Sequence, residues 1–179
     1  AGVWAIKSGG KSKSKSLTFI NRGIAHGGFA GKRAADYFIR TMINDIYNTD
    51  VLRLAADISR VKALDSPDAQ VSMRAPLCGS TIQVDLYIEE GRVTGFGQTI
   101  KACALGQAAA SVLAAQVIGK SADDILNVRN QVSAMLTDTG LAPAGDWSAL
   151  SALAPAKDAK PRHGAILLPF DAVLKAFAS

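Results

Sequence analysis

A chain of 179 residues, 49% of them hydrophobic, can fill the core of one globular domain plus an extension. No apolar run approaches the ~20 residues that span a bilayer, so a soluble protein without a membrane partner is expected. Two cysteines exclude a disulfide framework and point to a reducing compartment, and the +5 charge is confined to one end.

Residues 1–41 hold eight Lys or Arg against Asp36 alone, which puts them at +7 and the remainder of the chain at −2. The basic segment contains KSGGKSKSKS, a low-complexity Gly/Ser tract of the flexible kind, followed by Gly23, Gly27, Gly28 and Gly31. Its serines and near lack of acids give it a transit-peptide-like composition. Met42 opens a different texture and reads as the natural start of the domain. The expected division is therefore a basic, flexible arm over 1–41 (a tag, an extension or a misassigned start) and a domain over 42–179. The arm reads as a solvated tail, with His26 on its surface, and nucleic acid is not an expected partner for the acidic body.

From DIYNTDVLRLAADISRVKAL a helix is expected, with Val51, Leu54, Ala55, Ile58 and Val61 on one stripe and Asn48, Thr49 or Asp50 as its N-cap. Ser66-Pro67-Asp68 ends it. AQVSMRAP reads as a short strand. TIQVDLYIEE follows, with Ile82, Val84, Leu86 and Ile88 on one face. Glu89-Glu90-Gly91 signals a turn into RVTGFGQTIKA, where Gly95 and Gly97 suggest a bulge or a close backbone approach.

Helical patterns fill the rest. ALGQAAASVLAAQVIG stops at Gly119, and SADDILNVRNQVSAMLTDTG begins on a Ser121/Asp124 capping pair and stops at Gly140. A short helix is expected over about Asp146–Leu153. RHGAILLPFDAVLKAFA is a last helix in which Pro169 should kink the chain or delay the start. One helix, three strands and then several helices define an α+β fold: a three-stranded antiparallel sheet packed by about four to five helices.

Three residues are candidates for chemistry. Cys103 stands between the third strand and a long helix, where the helix dipole and unsatisfied N–H groups favour thiolate. Cys78 lies in Leu77-Cys78-Gly79-Ser80, at the turn between strands one and two. Strand two leaves Cys78 and strand three returns to Cys103, so both fall at one end of the sheet. Taken singly, each cysteine reads more readily as a small buried hydrophobe. His163, at the loop-to-helix junction Arg162-His163-Gly164, is a residue type that ligates iron or zinc. There is no nucleophile–base triad, P-loop or dinucleotide fingerprint, and no catalytic residue is assigned.

Asn48-Thr49-Asp50 after a helix, the Cys78-Gly79 turn, the Gly-x-Gly strand running into Ala102-Cys103-Ala104 and His163-Gly164-Ala165-Ile166-Leu167 together resemble the NifU/IscU-type iron–sulfur cluster assembly scaffolds. The resemblance covers Met42 to the C-terminus. It implies a non-enzymatic scaffold or carrier, holding a transient [2Fe–2S] cluster, iron or zinc and passing the cluster to apo iron–sulfur proteins. A cysteine desulfurase would supply the sulfur, with Cys103 or Cys78 accepting it as persulfide.

Cys78, Cys103 and His163 are then the metal and cluster ligands. Ser80 stands where the family has an aspartate, and Gly164 where it has a third cysteine. A second subunit (a homo-oligomer), a partner or a small thiol must supply what is missing. Asp158-Ala159-Lys160-Pro161-Arg162 does not reproduce the family's chaperone-recognition stretch, so a dedicated Hsp70-type partner is not expected. The implied location is the bacterial cytoplasm or, in a eukaryote, the mitochondrial matrix. Two other readings stand beside this one: a zinc-binding sulfur-relay protein, and a cluster-less interaction or regulatory module of the same fold.

Overall fold

The sequence Glu89-Glu90-Gly91-Arg92 folds as a two-residue hairpin loop, with φ of 50° at Glu90 and 73° at Gly91. Positive φ at both positions is the type I′ geometry, whose twist matches that of the flanking strands. The computed structural model in which this is seen describes residues 45–179. The arm expected over 1–41, His26 within it and the expected domain start at Met42 lie outside the described residues.

The hairpin joins β2 (Thr81–Glu89) to β3 (Arg92–Lys101), and β1 (Ala69–Arg74) adds to the far side of β2. All pairings are antiparallel and the order is β1-β2-β3. Ile82, Val84 and Leu86 are buried on one face of β2, as their alternation requires. Tyr87 pairs with Gly95 but Ile88 pairs with Val93, so Thr94 is an extra residue in β3. This bulge turns both Val93 and Phe96 into the core. Close approach explains both glycines. A β-carbon at Gly95 would lie 2.4 Å from the Tyr87 ring, and one at Gly97 would lie 2.4 Å from the Lys62 carbonyl.

Four α-helices, α1 (Thr49–Ala56), α2 (Ala104–Gln116), α3 (Ala122–Leu136) and α4 (Lys160–Phe177), and a 3₁₀ helix over Gly145–Asp158 complete the described fold. α2 is apolar all round, and Leu105 to Ala114 are buried save Gln107. It lies against α1, α4, the 3₁₀ helix and β3, while α4 covers the inner face of β1 and β2. Small residues let α2 and α4 approach: a β-carbon at Gly106 would be 3.0 Å from the Ala165 carbonyl. That carbonyl is the one whose helical donor Pro169 removes, and α4 continues through the proline to Phe177 without a delayed start. The caps follow the sequence. Asn48 Oδ1 accepts from Val51 N–H at 2.9 Å, and Ser121 and Asp124 form a capping box.

Three elements differ from expectation. The first helix stops at Ala56, and Val61, expected on its apolar stripe, is 60% exposed. Residues 57–64 instead form a strap with partners elsewhere. The Asp57 carbonyl accepts from Ser111 Oγ at 2.8 Å, and the Ser59 carbonyl from Gln98 Nε2 at 3.1 Å. The Arg60 carbonyl accepts from Gln98 N–H at 3.0 Å, while Arg60 Nε donates to the Ala114 carbonyl at 2.9 Å. Further on, Leu64 N–H donates to Asp85 at 3.2 Å, and this cover buries a carboxylate on the outer sheet face to 1% exposure.

The short helix expected near Asp146–Leu153 is a longer 3₁₀ helix. Trp147, Leu150, Leu153 and Ala156 recur every third residue, which a three-residue turn aligns on one side. The last three of these are buried, and Trp147 packs on Phe170 with ring centroids 6.2 Å apart. α3 ends at Leu136, ahead of the expected stop at Gly140, with Asp138 at a φ of 59° beyond it.

The strap makes Gly97 a sensitive position. Gly97→Ala places its methyl group against backbone that cannot rotate away, and is expected to destabilise the domain by about 1–3 kcal/mol. Urea unfolding monitored by circular dichroism measures this.

Candidate functional site

Arg74, Thr81 and Lys101 form the last full row of the sheet. Beyond it the chain crosses from β1 to β2 in a tight turn. Ala75 N–H donates to the Ser80 carbonyl at 2.8 Å, Gly79 N–H donates to the Ala75 carbonyl at 3.0 Å, and Gly79 has a φ of 71°. That backbone favours glycine and sets Cys78 at the tip of the turn. On the neighbouring strand, β3 runs through Ala102 to Cys103, the N-cap of α2 in an extended conformation. Cys78 and Cys103 thus line one open hollow of about 470 Å³, with Ser80, Lys101 and Gln107 beside them. Both cysteines are half-buried and free.

Cys78 is tied to its turn by Ser80, whose buried hydroxyl lies 3.2 Å from Sγ. Burial pushes the thiol up. Hydrogen bonds from the Ser80 hydroxyl and backbone and from its own N–H, together with the Arg162 charge, outweigh that effect and bring the pKa below its ordinary value. The Cys103 side chain makes no capping bond to the helix, so its sulfur is not committed to the free N–H groups there.

His163 is not brought to this hollow. Its Nε2 lies 3.0 Å from the Ala156 carbonyl and 3.1 Å from the Lys157 carbonyl. Two acceptors require that Nε2 carry the proton, which leaves the lone pair of the neutral ring on Nδ1. The ring lines a separate hollow of about 410 Å³ with Thr137, Asp138 and Lys157. The next residue faces the cysteine turn instead. A β-carbon at Gly164 would meet only Ala75 Cβ, at an ordinary 3.7 Å. Successive residues of a helix differ by about 100° in direction, so one residue separates these two faces.

Thiolates are suitable donors for iron and zinc. Among the described residues, however, no group of three His, Cys, Asp or Glu side chains is placed to hold a metal ion. The hollow offers two thiols, half the four ligands of a [2Fe–2S] centre. Sequence reasoning treated Ser80 only as an absent acid and passed over Lys101 and Arg74 altogether. Their signal was strand parity: both cations share the outward register of Thr81.

The family model for the NifU-like N terminal domain matches residues 46–154. A nitrogen-fixing NifU-like protein (N-terminal) from Brucella abortus is 42% identical, with a TM-score of 0.73, over 76% of this chain and 95% of that one. A hypothetical protein of known structure is 20% identical with a TM-score of 0.67, over 76% and 99% of the two chains. A protein from Fervidobacterium islandicum AW-1, described as an iron–sulfur cluster assembly scaffold for the SUF system, is 16% identical with a TM-score of 0.67, over 75% and 98%. The last two share the fold with this chain. No curated protein matches it.

The contact between Ser80 and Cys78 can be tested directly. Ser80→Ala removes a donor to the thiolate, so the Cys78 pKa should rise and its alkylation by iodoacetamide should shift to higher pH. Mass spectrometry of the Cys78 and Cys103 peptides across a pH series separates the two thiols.

Proposed function

The chain belongs to the NifU-like N-terminal domain family, and on that premise we propose that it is a scaffold or carrier for iron–sulfur clusters. The observation that carries this reading is the pair Cys78 and Cys103 on one solvent-open hollow. An open hollow suits cargo that must be loaded and released, and two half-buried thiols are donors that iron prefers. The cluster is the transported substrate, held between Cys78 and Cys103. Membership of the NifU-like N-terminal domain family, over residues 46–154, supports the role.

Sulfur delivery follows from the thiol chemistry. Cys78, with its lowered pKa, is the acceptor. Its thiolate attacks the outer sulfur of a desulfurase persulfide, forms a new S–S bond and releases the desulfurase thiolate, with no net change in oxidation state. His163 joins the ligand set only through a change in the start of α4, because its ring now lines a hollow separate from that of the two cysteines. Apo iron–sulfur proteins receive the finished cluster.

Anaerobic reconstitution with iron and sulfide should give cluster absorption in the visible range. Cys78→Ser and Cys103→Ser should each abolish it while leaving the far-ultraviolet dichroism unchanged. Normal absorption in the double variant would exclude the two-thiol site. Gly164→Cys is the gain-of-function counterpart. Its β-carbon has room beside Ala75, and the variant should retain the cluster longer during gel filtration than the natural chain does.

A further inference from the structure

The end of the sheet that carries the cysteines is basic. Arg74 and Lys101 flank Thr81 in the last row, on strands whose backbones are about 10 Å apart. Both point away from the helices, and neither joins a salt bridge among the described residues. They line a second hollow of about 380 Å³, floored by Ser72, Thr81, Gln83 and Thr99. Lys101 lines this hollow and the cysteine hollow alike, so the two adjoin at its side chain. Arg74 also reaches the cysteine turn, its guanidinium lying 3.5 Å from a β-carbon placed on Gly79.

No acid lines either hollow. Asp85 is the next carboxylate along this face, two rows further on, or about 13 Å along the strand. It is already taken up by Leu64 N–H, by Gln70 Nε2 at 2.9 Å and by Gln83 Nε2 at 3.3 Å. The two cations therefore face solvent without a counter-charge, over polar side chains that can donate hydrogen bonds. Each of the two adjoining hollows that make up this trough has the size of small-molecule sites.

We infer that this trough binds a small thiol bearing carboxylates, with the carboxylates on Arg74 and Lys101 and the sulfur beside Cys78 and Cys103, where it completes the ligand set of the cluster. The inference rests on the scaffold reading and deepens it. The chain supplies two thiolates to a centre that takes four ligands. In the ligand step the small thiol loses its proton to solvent and its sulfur lone pair fills an open iron position. No electron is transferred, and S–H is the one bond of the thiol that breaks, its electron pair staying on sulfur. Guanidinium and ammonium groups recognise carboxylate, and a neutral or cationic thiol gains nothing from them.

Three probe thiols test this with the full chain: mercaptosuccinate (anionic), 2-mercaptoethanol (neutral) and cysteamine (cationic). In NMR titrations of the apo-protein, mercaptosuccinate should shift the amides of Arg74, Thr81 and Lys101 and bind roughly tenfold more tightly than 2-mercaptoethanol. Arg74→Gln combined with Lys101→Gln, both on the exposed face, should abolish that preference. In anaerobic reconstitution the anionic thiol should sustain the cluster at a correspondingly lower concentration, and the double variant should need equal amounts of all three. Equal binding of all three thiols to the natural chain overturns the inference and leaves the scaffold reading intact. Preferential binding of mercaptosuccinate with no cluster formed under any thiol overturns the scaffold reading and the ligand role, and leaves only a carboxylate site.

Discussion

The register of the β2–β3 hairpin is the constraint on which the site depends. A two-residue turn at Glu90-Gly91 fixes which residues face each other, and the bulge at Thr94 corrects the parity of β3 once, near the turn. From there to the other end every pairing is set, so Thr81 meets Lys101 and the turn carrying Cys78 stands beside the one leading to Cys103. A slip of one residue would exchange the two faces of β3. Ile100 would face solvent, Lys101 would face the helices, and the two cysteines would lose their common hollow. The distance between turn and site is the length of the hairpin, so the geometry of the thiols is decided where no thiol is near.

The helices hold that geometry by close packing rather than by bulk. α2 begins at one cysteine and runs through the centre of the domain, and its alanines and Gly106 let α4 lie almost backbone to backbone against it. α4 in turn covers β1 and β2, the strands that the Cys78 turn connects. Both walls of the hollow are thus attached to the same packed unit. A core with few aromatics achieves this because small side chains allow short interhelical distances and leave little room for rearrangement.

The sequence was most legible where a residue's neighbours in space are also its neighbours in the chain. The hairpin, the alternation of Ile82, Val84 and Leu86 and the Ser121 capping box all depend on local spacing and are legible, and the first N-cap, Asn48, is one of the three neighbours Asn48, Thr49 and Asp50 that the sequence offers. The strap could not be read this way. Ile58 and Val61 continue the helical stripe of α1, but the bonds from Ser111 and Gln98 that hold residues 57–60 come from α2 and β3. The 3₁₀ helix was partly legible, since the three-residue spacing of Trp147, Leu150, Leu153 and Ala156 is in the sequence but is easily taken for a short α-helix. For the site, topology was enough to bring Cys78 and Cys103 together. The direction of His163 depends on where the preceding helix presents its carbonyls, and neighbouring residues in the sequence do not specify that.

The strap has one more consequence. β3 is an outer strand, and by taking the Gln98 N–H onto the Arg60 carbonyl the strap occupies part of its open hydrogen-bonding edge. A sheet of three strands has two such edges, and exposed edges recruit strands from other chains. Here one is partly closed by the chain itself, and the other belongs to β1, which is six residues long and ends on the charged Arg74. Among the described residues, the sheet therefore keeps a solvent-open end that carries two thiols without offering a long edge for aggregation.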